Sequence, residues 1–377
     1  MHSIPADVLD PAEPGHRDAL RAWLGVQRRL ALRPGEAVAA LRERPDPGPL
    51  LARASGLACA AADLDDALRA LARSGARLVP YPSPAYPAAL RRLADAAPVL
   101  AVRGDVATLA APCVAIVGAR AATAYGREMA QRLAAGLAVA GVVVVSGLAR
   151  GIDAAAHEAA LAAGGRTVAF QACGPDRVYP AAHRRLADRI AACGAIASEL
   201  APGSAPLKAH FPLRNRLISG VSRAVVVVEA RQRSGSLVTA RHALDQGIDV
   251  LAVPGPVTSP TSEGTNGLLR DGAAPALAAD DVLATIGVAP PVLPRAEDRA
   301  PDGAGPAAAS GDAARIVAAL HERASTRDEL GRRLGLAPGA LAAALLPLEL
   351  DGRVVEDRDG RLRVVRAAAG RGLSSAP

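Results

Sequence analysis

Lysine occurs once in this chain, at Lys208, although lysine and arginine together number 44. Three residues on stands Phe211, one of two phenylalanines, and four further on stands Asn215, one of two asparagines. A composition rich in Ala, Arg, Gly and Pro points to a coding bias against Lys, Asn and Phe, so residue types that persist against it mark positions where substitution costs function. The stretch KAHFPLRNR, residues 208–216, gathers a flexible cation, a flat ring, a carboxamide and the guanidinium groups of Arg214 and Arg216. That is the set needed to hold phosphates and stack an unpaired base. The alternative is a core Phe211 beside a solvated, uninvolved Lys208.

Two other segments, VAIVGARAATAYG and VVVVSGLARGIDAAAH, each read as strand, glycine turn, helix. Gly118 and Gly147 would let backbone N–H groups approach an anion, and each helix start adds about half a positive charge. Arg120 and Arg150 lie within these turns and could add forked contacts. Close packing of strand on helix would explain the same glycines. A third segment, VVVVEARQRSGSLVTARHAL, places Ser234, Gly235, Ser236 and Thr239 around a helix start, where hydroxyls and N–H groups suit phosphate oxygens. Glu229, with no partner carboxylate, is expected to cap this Ser/Gly turn rather than act as an acid or base. Asp153 and His157, four apart, read as a helix-start carboxylate and a tethered imidazole, since no third ligand stands at metal spacing. No metal and no cofactor is expected. A Walker A loop needs a lysine after its second glycine, which Lys208 cannot supply, and no GxGxxG follows the first strand.

The elements that must position these residues alternate. Apolar runs at 114–117, 142–145, 167–170, 195–197, 224–228 and 250–253 are each followed by a Gly, Ser or Pro turn and a helical pattern. Runs apolar on both faces require a parallel sheet covered by helices, so the fold class is doubly wound, Rossmann-like α/β. This domain is expected over 77–287, opening with a proline-rich, extended lead-in. Residues 1–76 read as a small helical domain. Residues 288–311 read as a flexible linker, 312–366 as a winged helix of three short helices and a hairpin turning at Asp359/Gly360, and 367–377 as a disordered tail. The expected recognition helix, 337–349, has no Arg or Lys. That favours a protein contact over duplex reading.

At 377 residues and half apolar, the chain should fold as two or three domains. The charge of +7 is a weak vote for a polyanionic partner, because arginine richness would raise it in any case. Cys59, Cys113, Cys173 and Cys193 form no CxxC pair, which fits a reducing cytoplasm. The N-terminus lacks the apolar stretch of a signal peptide. The apolar run Leu133 to Ala149 is broken by Gly141 into a helix end and a strand, so no membrane partner is expected.

The ordered motifs AIVGAR, SGLARGIDAAAH, CGPDRVYP, SEL, KAHFPLRNRLISGVS, VVVVEARQRSGSLVTA, AVPGP and SPTSEGTNGLLRDGA closely resemble the DNA-processing protein A family, also called Smf, over about 77–287. The flanking segments match its accessory domains more loosely, the first being similar to SAM or helix–hairpin–helix modules. The resemblance implies a cytoplasmic, non-enzymatic single-stranded DNA binder that protects incoming strands in natural transformation, loads the RecA recombinase and forms homodimers. It implies a groove lined by Arg120, Ser146, Gly147, Lys208, Phe211, Asn215, Ser234, Gly235 and Ser236, to which the residue reading adds Gly118, Arg150 and Arg214. His183 stands where the family pattern has an asparagine. One rival is a nucleotide hydrolase similar to the phosphoribohydrolases, whose PGGxGTxxE stretch is missing here. Another is a duplex-binding regulator acting through the winged helix.

Overall fold

The computed structural model describes residues 8–30, 33–53, 61–289, 307–351, 353–357 and 360–364. Residues 1–292 cluster as one compact unit and 293–377 as another.

Four helices lead the first unit: α1 (Arg17–Leu30), α2 (Pro34–Glu43), α3 (Pro47–Arg53) and α4 (Ala61–Ser74). In α1 the apolar positions Leu20, Trp23 and Leu24 recur at three- and four-residue spacing and are all buried. They do not close a core of their own. Trp23 and Leu71 belong to the same apolar cluster as Val79, Leu100 and Val102, so the core runs on across the boundary expected at residue 76.

The next elements are β1 (Ala76–Pro80), α5 (Ala88–Arg91) and β2 (Val99–Gly104). Here the expected extended lead-in becomes two antiparallel strands, with Ala76 opposite Arg103 and Pro80 opposite Val99. Its prolines break the chain between them. Arg91 folds that connection, donating to the carbonyls of Tyr81 and Ser83 while its guanidinium lies 5.3 and 5.4 Å from the Tyr81 and Tyr86 rings. Leu9 pairs with Leu78 on the free side of β1 and covers that edge.

The chain then alternates through β3 (Cys113–Val117), α6 (Ala124–Val139), β4 (Val143–Ser146), α7 (Ile152–Ala162), β5 (Thr167–Phe170), α8 (Arg184–Cys193), β6 (Ala195–Ser198), α9 (His210–Val221), β7 (Ala224–Val227), α10 (Gly235–Asp245), β8 (Asp249–Ala252), α11 (Glu263–Arg270), β9 (Ala274–Pro275) and α12 (Ala279–Thr285). The six expected strands lie within one residue of these bounds. Side chains alternate between faces: Ala115, Val117 and Val145 pack with α9 and α10, whereas Val114, Ile116 and Val144 pack with α6 and α7. The strand order is β1-β2-β6-β5-β4-β3-β7-β8-β9, with β3 through β9 parallel and β2 antiparallel to its neighbours. From β3 the chain winds outward through β4, β5 and β6, then returns to β7 on the other flank. The switch point is therefore between β3 and β7, where a doubly wound sheet opens a crevice at its carboxyl ends.

The second unit holds α13 (Ala307–Glu322), β10 (Ser325–Thr326), α14 (Arg327–Leu334), α15 (Pro338–Leu350), β11 (Val354–Glu356) and β12 (Arg361–Val364). Its three-stranded sheet and its own core, including Ile316, Leu330, Leu345 and Leu362, make the winged helix. Thr326 and Glu329 form a reciprocal capping box at α14. The linker expected over 288–311 is shorter at its far end, because the alanine-rich residues 307–311 already belong to α13. Residues 290–306, Asp359 and the tail 367–377 lie outside the described residues. Gly360 has φ +78°, as a tight hairpin turn requires. Among the described residues no helix is long and apolar enough to cross a membrane. Gly141, at φ +75°, separates α6 from β4 inside the apolar run noted above.

Candidate functional site

A cleft of about 310 Å³ opens at the β3/β7 switch point. Its walls are the turns after β3, β4 and β7 and the first turns of α9 and α10.

The turn after β3 carries Gly118 and Arg120. A Cβ at Gly118 would lie 2.6 Å from the Ile152 side chain, so here the packing explanation for glycine holds. The turn after β4 presses on it, because Gly151, at φ +78°, would place a Cβ 2.3 Å from the Ala119 carbonyl. Arg120 is exposed and its guanidinium lies 5.0 Å from the centre of the Phe211 ring.

Two expectations for the β4 turn need correction. Ser146 is fully buried and donates its hydroxyl to the Ile116 carbonyl at 2.6 Å, so it braces β4 against β3 instead of facing the cleft. The Gly147 N–H is also engaged: with that of Ala149 it donates to Asp153 Oδ2, at 3.1 and 3.3 Å. The Asp153 carboxyl, raised from its usual range by burial, replaces a bound anion at this turn. Leu148 is the one described non-glycine residue with positive φ, at 58°, and its carbonyl accepts from His183 Nδ1 at 2.9 Å. Arg150 is exposed and makes no hydrogen bond or ion pair among the described residues.

Helix α9 presents one face to solvent and buries the other. Phe211 and Asn215, four apart, are half-buried, while Arg214, Leu217, Ile218 and Val221 face inward. Arg214 is therefore a third correction. Only 6% exposed, it donates Nη1 to the carbonyls of Gly147 and Phe170 and forms the cleft floor. Burial lowers its pKa to about 10, which keeps it charged at neutral pH. Asn215 donates Nδ2 to the Gly235 carbonyl at 3.3 Å and so joins α9 to α10. The inner face is fixed further by Arg216, which bonds Glu199 at 2.6 Å with both side chains 2% exposed. Its Nε lies 3.2 Å from Asp95, without the alignment of a hydrogen bond. Burial pushes the Glu199 carboxyl up to about 7 against the pull of Arg216.

Ser234 caps α10: its Oγ accepts from Ser236 N–H at 3.4 Å and lies 2.7 Å from Ser236 Oγ. Gly235 opens the helix and is exposed. The positive end of α10 thus faces the cleft. Glu229 does not cap this turn, as expected from sequence. It accepts from the N–H and hydroxyl of Thr123, at 2.9 and 2.5 Å, and from Thr261 Oγ1 at 3.4 Å, tying together the loops before α6, after β7 and before α11. Asp153 is the expected helix-start carboxylate and His157 the expected tethered imidazole, its ring 2.7 Å from Thr167 Oγ1.

Lys208 is exposed three residues ahead of Phe211, makes no ion pair among the described residues, and is not part of the cleft wall. The residue missed by sequence reasoning is Tyr179. Its ring meets Phe211 edge-on, with centroids 5.7 Å apart and planes at 63°, and it is 45% exposed. The signal was available, because the chain has only one Trp, four Tyr and two Phe. Four of the seven are buried; Tyr125, Tyr179 and Phe211 reach solvent, all at the carboxyl rim of the sheet.

A Rossmann-like parallel sheet with a crevice at its switch point, edged by Arg120, Arg214 and Phe211, defines a doubly wound α/β protein. Residues 77–287, more than half of the chain, match the family of the DNA recombination-mediator protein A, and the chain belongs to that family. Residues 300–360 match the DprA winged helix domain. The putative DNA processing protein DprA of Mycobacterium tuberculosis is 47% identical over 257 residues, covering 68% of this chain. The match spans only 65% of that relative's length. The crystal structure of DNA processing protein A from Streptococcus pneumoniae aligns with a TM-score of 0.59 at 34% identity, over 71% of this chain and 96% of that one. DNA processing protein A from Helicobacter pylori, whose structure is described for its single-stranded DNA binding mode, aligns at 0.50 and 34%, over 53% and 92%.

Proposed function

We propose that the cleft binds single-stranded DNA without cutting it, and that the protein serves DNA processing in natural transformation. In this reading it protects incoming strands and hands them to the RecA recombinase, working in the cytoplasm as a homodimer. The observation that carries it is Phe211: a half-exposed ring at the rim of a crevice whose floor is a buried guanidinium and whose wall is a helix N-terminus.

Binding follows from an exchange of partners. Without a strand, Arg120 covers one face of Phe211. Such an exposed cation–π contact is worth about 0.5–1 kcal/mol, whereas a base stacked on an aromatic ring contributes about 1–3 kcal/mol. The base therefore takes the ring face, and the freed Arg120 turns to the adjoining phosphate. Lys208 and Arg150, both exposed and without ion pairs among the described residues, hold neighbouring phosphates, and the first turn of α10 receives another through Gly235 and the Ser234 and Ser236 hydroxyls. Stacking accepts any base, so recognition is tolerant of sequence. Asp153, which lines the cleft, and the buried Glu229 are committed to backbone N–H and hydroxyl groups, which supports holding over hydrolysis. The recombinase and dimer elements of the reading rest on family membership.

Titrating labelled single- and double-stranded oligonucleotides at two salt concentrations tests the reading. The single strand is expected to bind more tightly, with log K falling by about 0.7 per phosphate contact for each decade of salt. Phe211→Ala should lose about 1–3 kcal/mol of affinity while remaining folded. Equal affinity for duplex and single strand, or no loss in either Phe211→Ala or Lys208→Ala, would exclude the cleft.

A further inference from the structure

We infer that the DNA path continues beyond the cleft, over the ring of Tyr179 and along the solvent face of α8, where Arg185 and Arg189 receive the next phosphates. This inference rests on the single-strand reading of the cleft and extends its footprint.

Tyr179 touches Phe211, which lines the cleft, yet takes no part in the cleft wall. It therefore stands on the far side of Phe211. Tyr179 lies in the loop between β5 and α8, and β5 is itself two strands, about 10 Å, from β3 in the sheet. Its near-half exposure leaves part of the ring open to solvent. The preceding Val178 does pack there, against the cluster of Leu186, Ala187 and Ile190. Two rings at 63° present differently tilted faces, so consecutive bases can each find one where the strand turns.

After Tyr179 the chain makes a short 3-10 turn, Ala181–His183, and enters α8 at Arg184. Its inner face is apolar; its outer face carries Arg184, Arg185, Asp188 and Arg189, all exposed. The single acid of the helix is already neutralised, because Asp188 is bonded by Arg103 at 2.6 Å. Arg184, Arg185 and Arg189 make no hydrogen bond or ion pair through their side chains among the described residues, leaving three uncompensated cations on a helix of ten residues. Arg185 and Arg189, four apart, are separated by about 6 Å along the axis, on the scale of one nucleotide step in an extended strand. Chance alone scatters arginines over this arginine-rich surface. What distinguishes these is the shared face, the neutralised acid and continuity with an exposed ring that already contacts Phe211.

The test compares oligothymidylates of about four and about twenty nucleotides on the full chain, the short one sized to a single stacking site and the long one exceeding it. The Arg185→Gln/Arg189→Gln variant should reduce the salt slope for the long strand by about 1.4, two contacts at about 0.7 each, and leave the short one unchanged. Tyr179→Ala should weaken the long strand about tenfold, and Tyr179→Phe, which keeps the ring, should restore it. Losses equal at both lengths, or none with the long strand while Phe211→Ala still weakens it, would overturn the α8 path and leave the cleft intact. Wild-type affinity in Phe211→Ala at both lengths would instead remove the cleft reading on which the path depends.

Discussion

At the scale of single residues, Arg120 and Arg214 show how one side-chain type divides between two roles. Both sit in the motifs that suggested phosphate contact, and their chemistry is identical. What separates them is helix phase: position 214 falls in register with Leu217, Ile218 and Val221 on the buried side of α9, whereas 211 and 215 fall on the open side. The periodicity was legible in the sequence, but the guanidinium outweighed it. Arg120→Ala should fold normally and lose about 0.7 from the salt slope of single-strand binding. Arg214→Ala should behave oppositely in stability assays. It leaves the Gly147 and Phe170 carbonyls without their donor and removes the cation whose field favours the Asp153 carboxylate, and should lower unfolding stability by about 1–3 kcal/mol per stranded carbonyl; denaturant midpoints measured for the two variants check this. Ser146 was misassigned for a related reason. A serine after a strand looks the same whether it meets a ligand or, as here, the carbonyl of the neighbouring strand.

At the scale of elements, the junction of β4, α7 and β5 carries a pH dependence whose sign follows from hydrogen bonding. Thr167 donates its hydroxyl to the Val144 carbonyl, so its oxygen can only accept from His157 Nδ1–H. Nε2 is then bare, buried and without a partner, and a proton added there would have none either. Burial, with Arg214 close by, holds the imidazole down to about 3. Since the folded value lies below the ordinary one near 6.5, the neutral ring contributes stability that is complete above about 6.5 and is lost as pH falls toward 3. Within that window the slope is about 1.4 kcal/mol per pH unit. Glu199 works the other way: raised to about 7, its contribution is present at low pH and lost as pH rises through that value. The stability difference between wild type and His157→Gln, followed from neutral pH to pH about 4, isolates the imidazole and should shrink on acidification. That His157 would be tethered rather than ligate a metal could be anticipated, since no third ligand stands near it in sequence. The tautomer could not, because Thr167 reaches it only through strand pairing.

At the scale of the whole molecule, periodicity alone located the parallel strands to within a residue, since a strand covered on both faces must be apolar throughout. It did not reveal β1 and β2, whose prolines mask an antiparallel edge, nor that the leading helices share the sheet's core. Both depend on contacts between distant parts of the chain. Every residue of the cleft lies in the first unit, and the winged helix has its own core and no cation on α15. Truncation after residue 289 should therefore retain most single-strand affinity in a titration, and loss of binding would move the site to the winged helix. The Glu229 clasp bears on affinity as well. Because one carboxyl group laces three loops together, the receptacle is already assembled when a strand arrives, and only a few surface side chains surrender rotamer freedom on capture. A cradle shaped in advance gives up little entropy on loading, so its grip is firmer than that of loops ordered only by contact.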